Sequence, residues 1–252
     1  MFVERIGPLE LDEDGGPLYM QIAEAIAAAI ADGRLATGDR LPAERDLAVE
    51  LEVSRDTVRQ SLGELQRHGR LVRTVGRSGG TFVAEPKVSR DLSRYAGLAD
   101  QLREQSIQGG ARVLSARERA ASPAIAAALE VGAGERVYEI VRVRLANGKP
   151  VALEHTYYAV GRLPGLIDHP LDGSLDELVR THYGQDPVRA IEYLEPILAG
   201  PEEVAALEVE EGAPLMFVER IAFTSDGSPL EFGRDVFRGD RTRMVVIALP
   251  YH

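Results

Sequence analysis

No cysteine occurs among the 252 residues. That excludes disulfides, thiolate metal sites and a cysteine nucleophile, and it fits a reducing cytoplasm. No apolar run approaches the ~20 residues that a helix needs to cross a bilayer. The N-terminus lacks a charged segment followed by an apolar block, so no secretory leader is read there. Histidines are few and scattered (His68, His155, His169, His182, His252) without metal-ligand spacing, so neither a metal nor a cofactor is expected. A phosphate-binding glycine loop and a paired His–Asp nucleophile motif are also missing. His155 beside Glu154 alternates to the other face of its strand, so the two form no dyad. Basic residues are outnumbered, 29 against 40 acidic, for a formal net charge of −11. A chain of that sign meets nucleic acid only where its bases are concentrated.

They are concentrated between Leu41 and Val83. Ser54 follows a short turn and precedes a helical pattern, the place of an N-cap. Val58, Leu62 and Leu65 then form one apolar stripe, while Arg55 and Arg59 share another face with Thr57 at its edge. Pro42 opens a shorter helix carrying Leu47, Ala48 and Leu51. After the second helix, Leu71–Val75 and Thr81–Val83 flank a glycine-rich tip, which reads as a hairpin. Two short helices and a hairpin can be plain structure, and surface arginines are usually solvated. Local charge separates the readings: Arg55, Arg59, Arg67, Arg70, Arg73 and Arg77 face only Asp56 and Glu64 between Val53 and Arg77. The stretch is therefore read as a winged helix-turn-helix whose arginines enter a DNA groove.

The segments LPAERDLA, SRDTVRQSL and GGTFV, with the helix at Leu18–Ala31 before them, resemble the GntR family of bacterial transcription regulators. The resemblance implies DNA contacts at Arg45, Ser54, Arg55, Thr57 and Arg59, and on the wing at Arg77, Gly79 and Gly80; Arg73 also lies on the wing. Glu52 stands where the family has glycine. If that turn needs a left-handed backbone, glutamate costs roughly 1 kcal/mol there.

In chain order, residues 1–16 are acidic and read as a mobile arm, and 17–85 as the winged domain. The polar segment 86–96 reads as a linker. The second domain, 97–252, contains an internal repeat. Ser122–Arg142 matches Gly200–Arg220 at an offset of 78, through Pro123/Pro201, Leu129/Leu207, Gly134/Gly212 and Arg142/Arg220 among others. Each copy reads as a helix, a strand, a tight turn and a second strand. With a helix at Leu175–Thr181 and a strand at Val188–Leu198, this predicts one antiparallel sheet with helices on a face. In the first hairpin Tyr138, Ile140, Arg142 and Arg144 share a face. A two-residue turn at Asn147-Gly148 would set Arg142 opposite Leu153. A three-residue turn sets it opposite Glu154 and Arg144 opposite Ala152, and this register is preferred because charge meets charge. The alternative for these residues is a solvated face with a surface ion pair worth little.

The segments RVRLANGKPVALEHTYY and PLEFGRDVFRGDR resemble the effector-binding domain of the HutC subfamily of GntR regulators, called UTRA, with a chorismate lyase-like fold. In relatives that bind amino-sugar phosphates, the resemblance places phosphate-holding arginines at Arg142 and Arg144. It places sugar-contacting acids at Glu154 and Glu231, a loop serine at Ser174 and an aromatic at Phe237. Ala99 stands where relatives have serine and Phe237 where they have tyrosine, so two polar contacts are missing. The expectation is thus an α+β chain: a winged helix-turn-helix joined to an antiparallel-sheet UTRA domain. Its expected function is a dimeric, cytoplasmic repressor, with no enzyme activity and no membrane partner. It would leave a pseudo-palindromic double-stranded DNA operator on binding a small anionic effector, a sugar phosphate foremost, with a non-sugar carboxylate or other small metabolite as the alternative. An enzymatic second domain is the competing class, and fold alone does not carry activity.

Overall fold

The computed structural model describes residues 2–7, 16–74 and 79–248. The chain divides into two compact units, Met1–Lys87 and Val88–His252.

The first unit opens with a short helix, α1 (Phe2–Ile6), followed by α2 (Leu18–Ala31), α3 (Glu44–Glu50) and α4 (Arg55–Arg67). Strands β1 (Leu71–Thr74) and β2 (Gly80–Val83) pair antiparallel as the wing. The periodic apolar positions are the core: Ile22, Ile26, Leu47 and Val58 have no exposed surface, and Leu62 and Leu65 little. The expected arm at 1–16 is corrected in its first part. Phe2 and Ile6 are buried in this same core, and the Val3 amide donates to Glu50 Oε1 at 3.0 Å. A five-residue helix does not hold itself in water, so docking of these two side chains orders it. The acidic residues Glu10, Asp12, Glu13 and Asp14 lie outside the described residues, as does the wing tip at 75–78. Glu52 adopts φ 55°, the left-handed backbone that its place between α3 and α4 implied.

The second unit begins with β3 (Val88–Asp91), so the expected linker at 86–96 is also corrected. β3 pairs in parallel with β10 (Thr242–Val245), about 150 residues further on. Between them run α5 (Leu98–Glu104), β4 (Gly109–Ala120), α6 (Pro123–Leu129), β5 (Arg136–Ala146) and β6 (Lys149–Ala159). Then come a 3₁₀ turn (Leu166–Asp168), α7 (Leu175–Tyr183), β7 (Pro187–Leu198), α8 (Pro201–Leu207), β8 (Pro214–Thr224) and β9 (Pro229–Arg238). One six-stranded antiparallel sheet has the order β4-β5-β6-β9-β8-β7. The repeat explains it: β4, α6, β5, β6 and β7, α8, β8, β9 are the two copies, and their last strands meet at the centre. Both helices end on a left-handed glutamate, Glu130 and Glu208.

Helices cover both faces rather than the single face expected. α6 and α8 pack on the side of Val137, Val141, Val143 and Leu153. α5 and α7 pack on the side of Tyr138, Ile140 and Phe237. Accordingly β5 is buried almost throughout, unlike a half-solvated strand.

Arg142 does face Glu154, and Arg144 faces Ala152. The turn responsible is nevertheless the two-residue one, with Asn147 and Gly148 both at positive φ. Ala146 faces Lys149, and a bulge in β6 opposite Arg144 and Leu145, where Val151 is left without a partner, supplies the extra residue. The same irregularity recurs in the second copy between Ala222 and Phe223.

Replacing Glu52 with glycine removes the left-handed penalty of about 1–2 kcal/mol, less the ~0.5–1 kcal/mol entropy that glycine adds to the unfolded chain. Glu52→Gly is therefore expected to raise the melting temperature of the first unit by a few degrees. A lower value in scanning calorimetry would contradict this account of the turn.

Candidate functional site

Four arginines of the first unit, Arg40, Arg45, Arg55 and Arg73, line one cleft. Ser54 caps α4, its Oγ accepting from the Thr57 amide at 3.0 Å and lying 2.8 Å from Thr57 Oγ1. Arg55 and Arg59 follow on the exposed face of α4, with Val58, Leu62 and Leu65 behind them. Arg59 pairs with Asp56 at 3.0 Å, with both side chains largely in solvent, so the pair is weak and exchangeable. An open cleft of about 960 Å³ brings together Arg45, Arg55, Arg73, Gly79 and Gly80. Arg40, which the motif reading did not single out, lines it too, and its Nη2 donates to the Gly79 carbonyl at 2.8 Å. A Cβ on Gly80 would stand 2.8 Å from Arg40 Nε, so a larger residue there would displace the Arg40 side chain. Arg77 lies outside the described residues. Nothing buries these cations, so the cleft is a basic, open surface with exposed donors.

The second unit is the reverse, a closed cluster of buried charge. Arg142, Arg144, Glu154, Ser174, Glu231 and Phe237 all line one cavity of about 20 Å³, room for about one water. Sheet register brings them there. Arg142, Glu154 and Asp235 stand in one row across β5, β6 and β9, and Arg144, Ala152 and Phe237 in the next. Arg142 Nη2 and Arg144 Nη1 both donate to Glu154, at 2.6 and 3.1 Å. The other Nη of Arg142 donates to the Leu171 and Gly173 carbonyls at 2.8 and 2.9 Å, tying the loop before α7 to the sheet. Ser174 caps α7, accepting from the Glu177 amide at 3.2 Å. Arg220 Nη2 donates to Glu231 at 2.6 Å, and the Tyr158 hydroxyl donates to the other oxygen of Glu231.

Four charged residues of the lining were missed: Arg90, Asp176, Arg220 and Asp235. Arg220 carried a signal as the repeat mate of Arg142. Asp235 carried a signal too, since Glu231, Gly233, Asp235 and Phe237 share one face of β9. Asp176 resembled an ordinary acid in the first turn of a helix. Arg90 fell in the stretch read as linker; it is 2% exposed, donates to Glu192 at 2.8 Å and lies over the Phe237 ring at 5.5 Å.

The carboxyls are not equivalent. Burial opposes ionisation of Glu154, but the guanidiniums of Arg144, Arg142 and Arg220 outweigh it and hold the group at about 2. Burial first, then the Glu154 charge, pushes Asp235 up to about 7. Burial and then Glu231 push Asp176 up to about 6. Arginine forks matched to a carboxylate also match a phosphate or carboxylate brought by a ligand. Among the described residues no group of His, Asp and Glu is arranged to hold a metal.

Residues 104–243 match the UTRA domain, and residues 18–83 match the gntR family of bacterial regulatory proteins. The HTH-type transcriptional repressor NagR of Bacillus subtilis is 32% identical over 91% of this chain and 93% of its own. The histidine utilization repressor of Pseudomonas putida is 31% identical over 93% of each. The crystal structure of PhnF from Mycobacterium smegmatis superposes with a TM-score of 0.69 at 30% identity, covering 91% of this chain and all of that one. The chain therefore belongs to the GntR family of bacterial regulatory proteins, with a UTRA domain as its second unit. It is a DNA-binding transcription regulator, and the two relatives named above are repressors. No helix among the described residues is long and apolar enough to cross a membrane.

The raised Asp235 has a pH signature. Its unfolded carboxyl loses its proton near 3.8, the folded one near 7. Between those values the folded state holds the extra proton, so this group's contribution to stability falls as pH rises. Glu154, depressed in the fold, acts oppositely: its contribution is present above about 4.5 and lost as pH falls toward 2. Asp235→Asn is therefore expected to stabilise the protein relative to wild type more at about pH 8 than at about pH 5. Thermal melts at both pH values check this, and an equal difference would refute the raised value.

Proposed function

We propose that the protein is a homodimeric repressor that leaves a pseudo-palindromic operator when a small anion, foremost a sugar phosphate, enters the pocket at Arg142 and Arg144. One observation carries the effector half of this reading: two buried guanidiniums on one strand face converge on the single carboxylate of Glu154. A ligand phosphate offers the same acceptors with more charge, and it competes for both forks at once. Ser174 would add a hydroxyl donor, Glu154 and Glu231 would meet sugar hydroxyls, and Phe237 would form an apolar wall. Ala99 and Phe237, where hydroxyls are missing, favour a second reading in which the anion is a non-sugar carboxylate.

For the DNA half, Ser54, Arg55, Thr57 and Arg59 present the first turns of α4 to a major groove. Arg45, Arg73, Gly79 and Gly80, with Arg77 on the wing, hold phosphates beside it. Two-fold symmetry of a dimer makes the operator a pseudo-palindrome. The ligand releases DNA by favouring a conformation that docks poorly.

The test is fluorescence anisotropy on the DNA upstream of the chain's own gene, with panels of sugar phosphates and small carboxylates added. Binding is expected to weaken steeply with salt. Arg55→Ala should cost about 1–3 kcal/mol of specific affinity, and unchanged affinity would overturn the assignment of α4. A compound that releases wild type should fail to release the double variant Arg142→Ala, Arg144→Ala. Equal release of both would remove the pocket from the mechanism.

A further inference from the structure

Four polar atoms on side chains lining the cavity have no hydrogen-bond partner among the described residues: Arg90 Nε, Arg142 Nε, Arg220 Nε and Asp235 Oδ1. Their residues are 2%, 2%, 9% and 3% exposed. Native folds seldom leave such atoms unmet, and several around one cavity mark a site built for something else. Three of them are donors and need acceptors. The fourth is a carboxylate oxygen and needs a donor. A simple anion satisfies only the first three.

The pairing of charges makes the same demand. Arg142 and Arg144 are matched by Glu154, Arg220 by Glu231 and Arg90 by Glu192. Asp176 is held by the Tyr95 hydroxyl at 3.2 Å, and among the described residues neither it nor Asp235 forms an ion pair with an arginine. The cavity wall carries four guanidiniums (Arg90, Arg142, Arg144, Arg220) and four carboxylates (Glu154, Asp176, Glu231, Asp235). Its formal charge is zero only when all eight are ionised, and Asp235 and Asp176 hold their protons up to about 7 and 6. An anion alone offers these two acids nothing, because among the described residues neither is paired with an arginine. A ligand that also carries a cation meets the carboxylates in their ionised form and leaves no buried charge of either sign unmatched.

The sheet sets the two ends apart. Arg142 on β5 and Asp235 on β9 lie in one row with Glu154 of β6 between them. Two strand spacings put their backbones about 10 Å apart. We propose that the effector is zwitterionic: its phosphate or carboxylate goes to Arg142 and Arg144, and its cationic nitrogen goes to Asp235, with Asp176 as the second carboxylate. This rests on the anion-binding reading of the pocket and adds the other half of the ligand.

Calorimetric titration of the full-length protein near neutral pH separates the two ideas, using inorganic phosphate, ethyl phosphate and 2-aminoethyl phosphate as probes. The last two differ only by an ammonium at the chain end. The amine is expected to bind about tenfold or more tightly than ethyl phosphate. In Asp235→Asn that ratio should collapse to within about twofold, with Asp176→Asn as a second variant should the first not fold. If inorganic and ethyl phosphate bind and the amine gains nothing, the anion pocket stands and the zwitterion is refuted. A preference for the amine that survives in both variants also refutes it, because the nitrogen then goes elsewhere. If none of the three probes binds, the anion reading itself fails and this proposal with it.

Discussion

A buried charge without a partner costs more than any single contact in this fold could offset, and the second unit is arranged around that constraint. Arg142, Arg144, Glu154, Glu231 and Asp235 are all under a tenth exposed on one face of a sheet. The register of β5 against β6 places Glu154 between two guanidiniums. The loop before α7 turns its carbonyls at Leu171 and Gly173 toward Arg142. Gly97 has no side chain where Asp176 comes close: a Cβ there would stand 2.3 Å from Asp176 Oδ2. Such a cluster is a poor device for stability. Apolar residues of similar volume often serve a core as well or better. Its presence in the middle of the sheet is what the proposed recognition of a charged ligand requires.

Duplication supplied the platform, and divergence made it a site. Both copies keep an arginine at the same place, Arg142 and Arg220, and both hairpins carry a bulge beyond it. Their acids differ. The first copy has Glu154 directly across from its arginine; the second has Gly233 there, and its acid, Glu231, lies two residues away. Glycine leaves the floor open between Arg220, Glu231 and Asp235, each with an atom 3.6–3.8 Å from where a Cβ would be. A strictly symmetric pair of copies would have closed the centre of the sheet on itself.

Most of this architecture was legible locally because its causes are local. Helical spacing marked α2 and α4, a capping serine marked the start of α4, and repeated Pro, Gly and Leu-Glu-Val marked the two halves. Opposed charges named the right partner for Arg142, although through the wrong turn, since the bulge at Val151 leaves no mark on the apolar run of β6. The misses have non-local causes. β3 is four residues long, and its partner β10 lies about 150 residues away, so its only local trace is the alternation of Val88 and Arg90. α1 is held by a core that the rest of the chain builds. Asp176 and Asp235 acquire their chemistry from burial beside other carboxylates, which no neighbour in sequence reveals.

The corrected linker changes how the two halves of the proposed function can communicate. Lys87 ends the DNA-binding unit, and three residues later Arg90 enters the wall of the proposed effector cavity, with its Nη2 on Glu192 of β7. To turn a repressor from about 1:99 to 99:1 between two states, a ligand needs about 5.5 kcal/mol of differential affinity. A hydrogen bond to a charged group contributes roughly 1.5–3 kcal/mol. Two arginine forks that also bind when the protein is on DNA supply none of that difference, since equal affinity for both states shifts nothing. The difference has to come from contacts that exist in one state only. Of the residues around the cavity, Arg90 alone stands on the strand that directly continues from the DNA-binding unit, so any movement of that strand changes what the ligand meets. By linkage the converse also holds, and a ligand that fixes Arg90 restrains the strand.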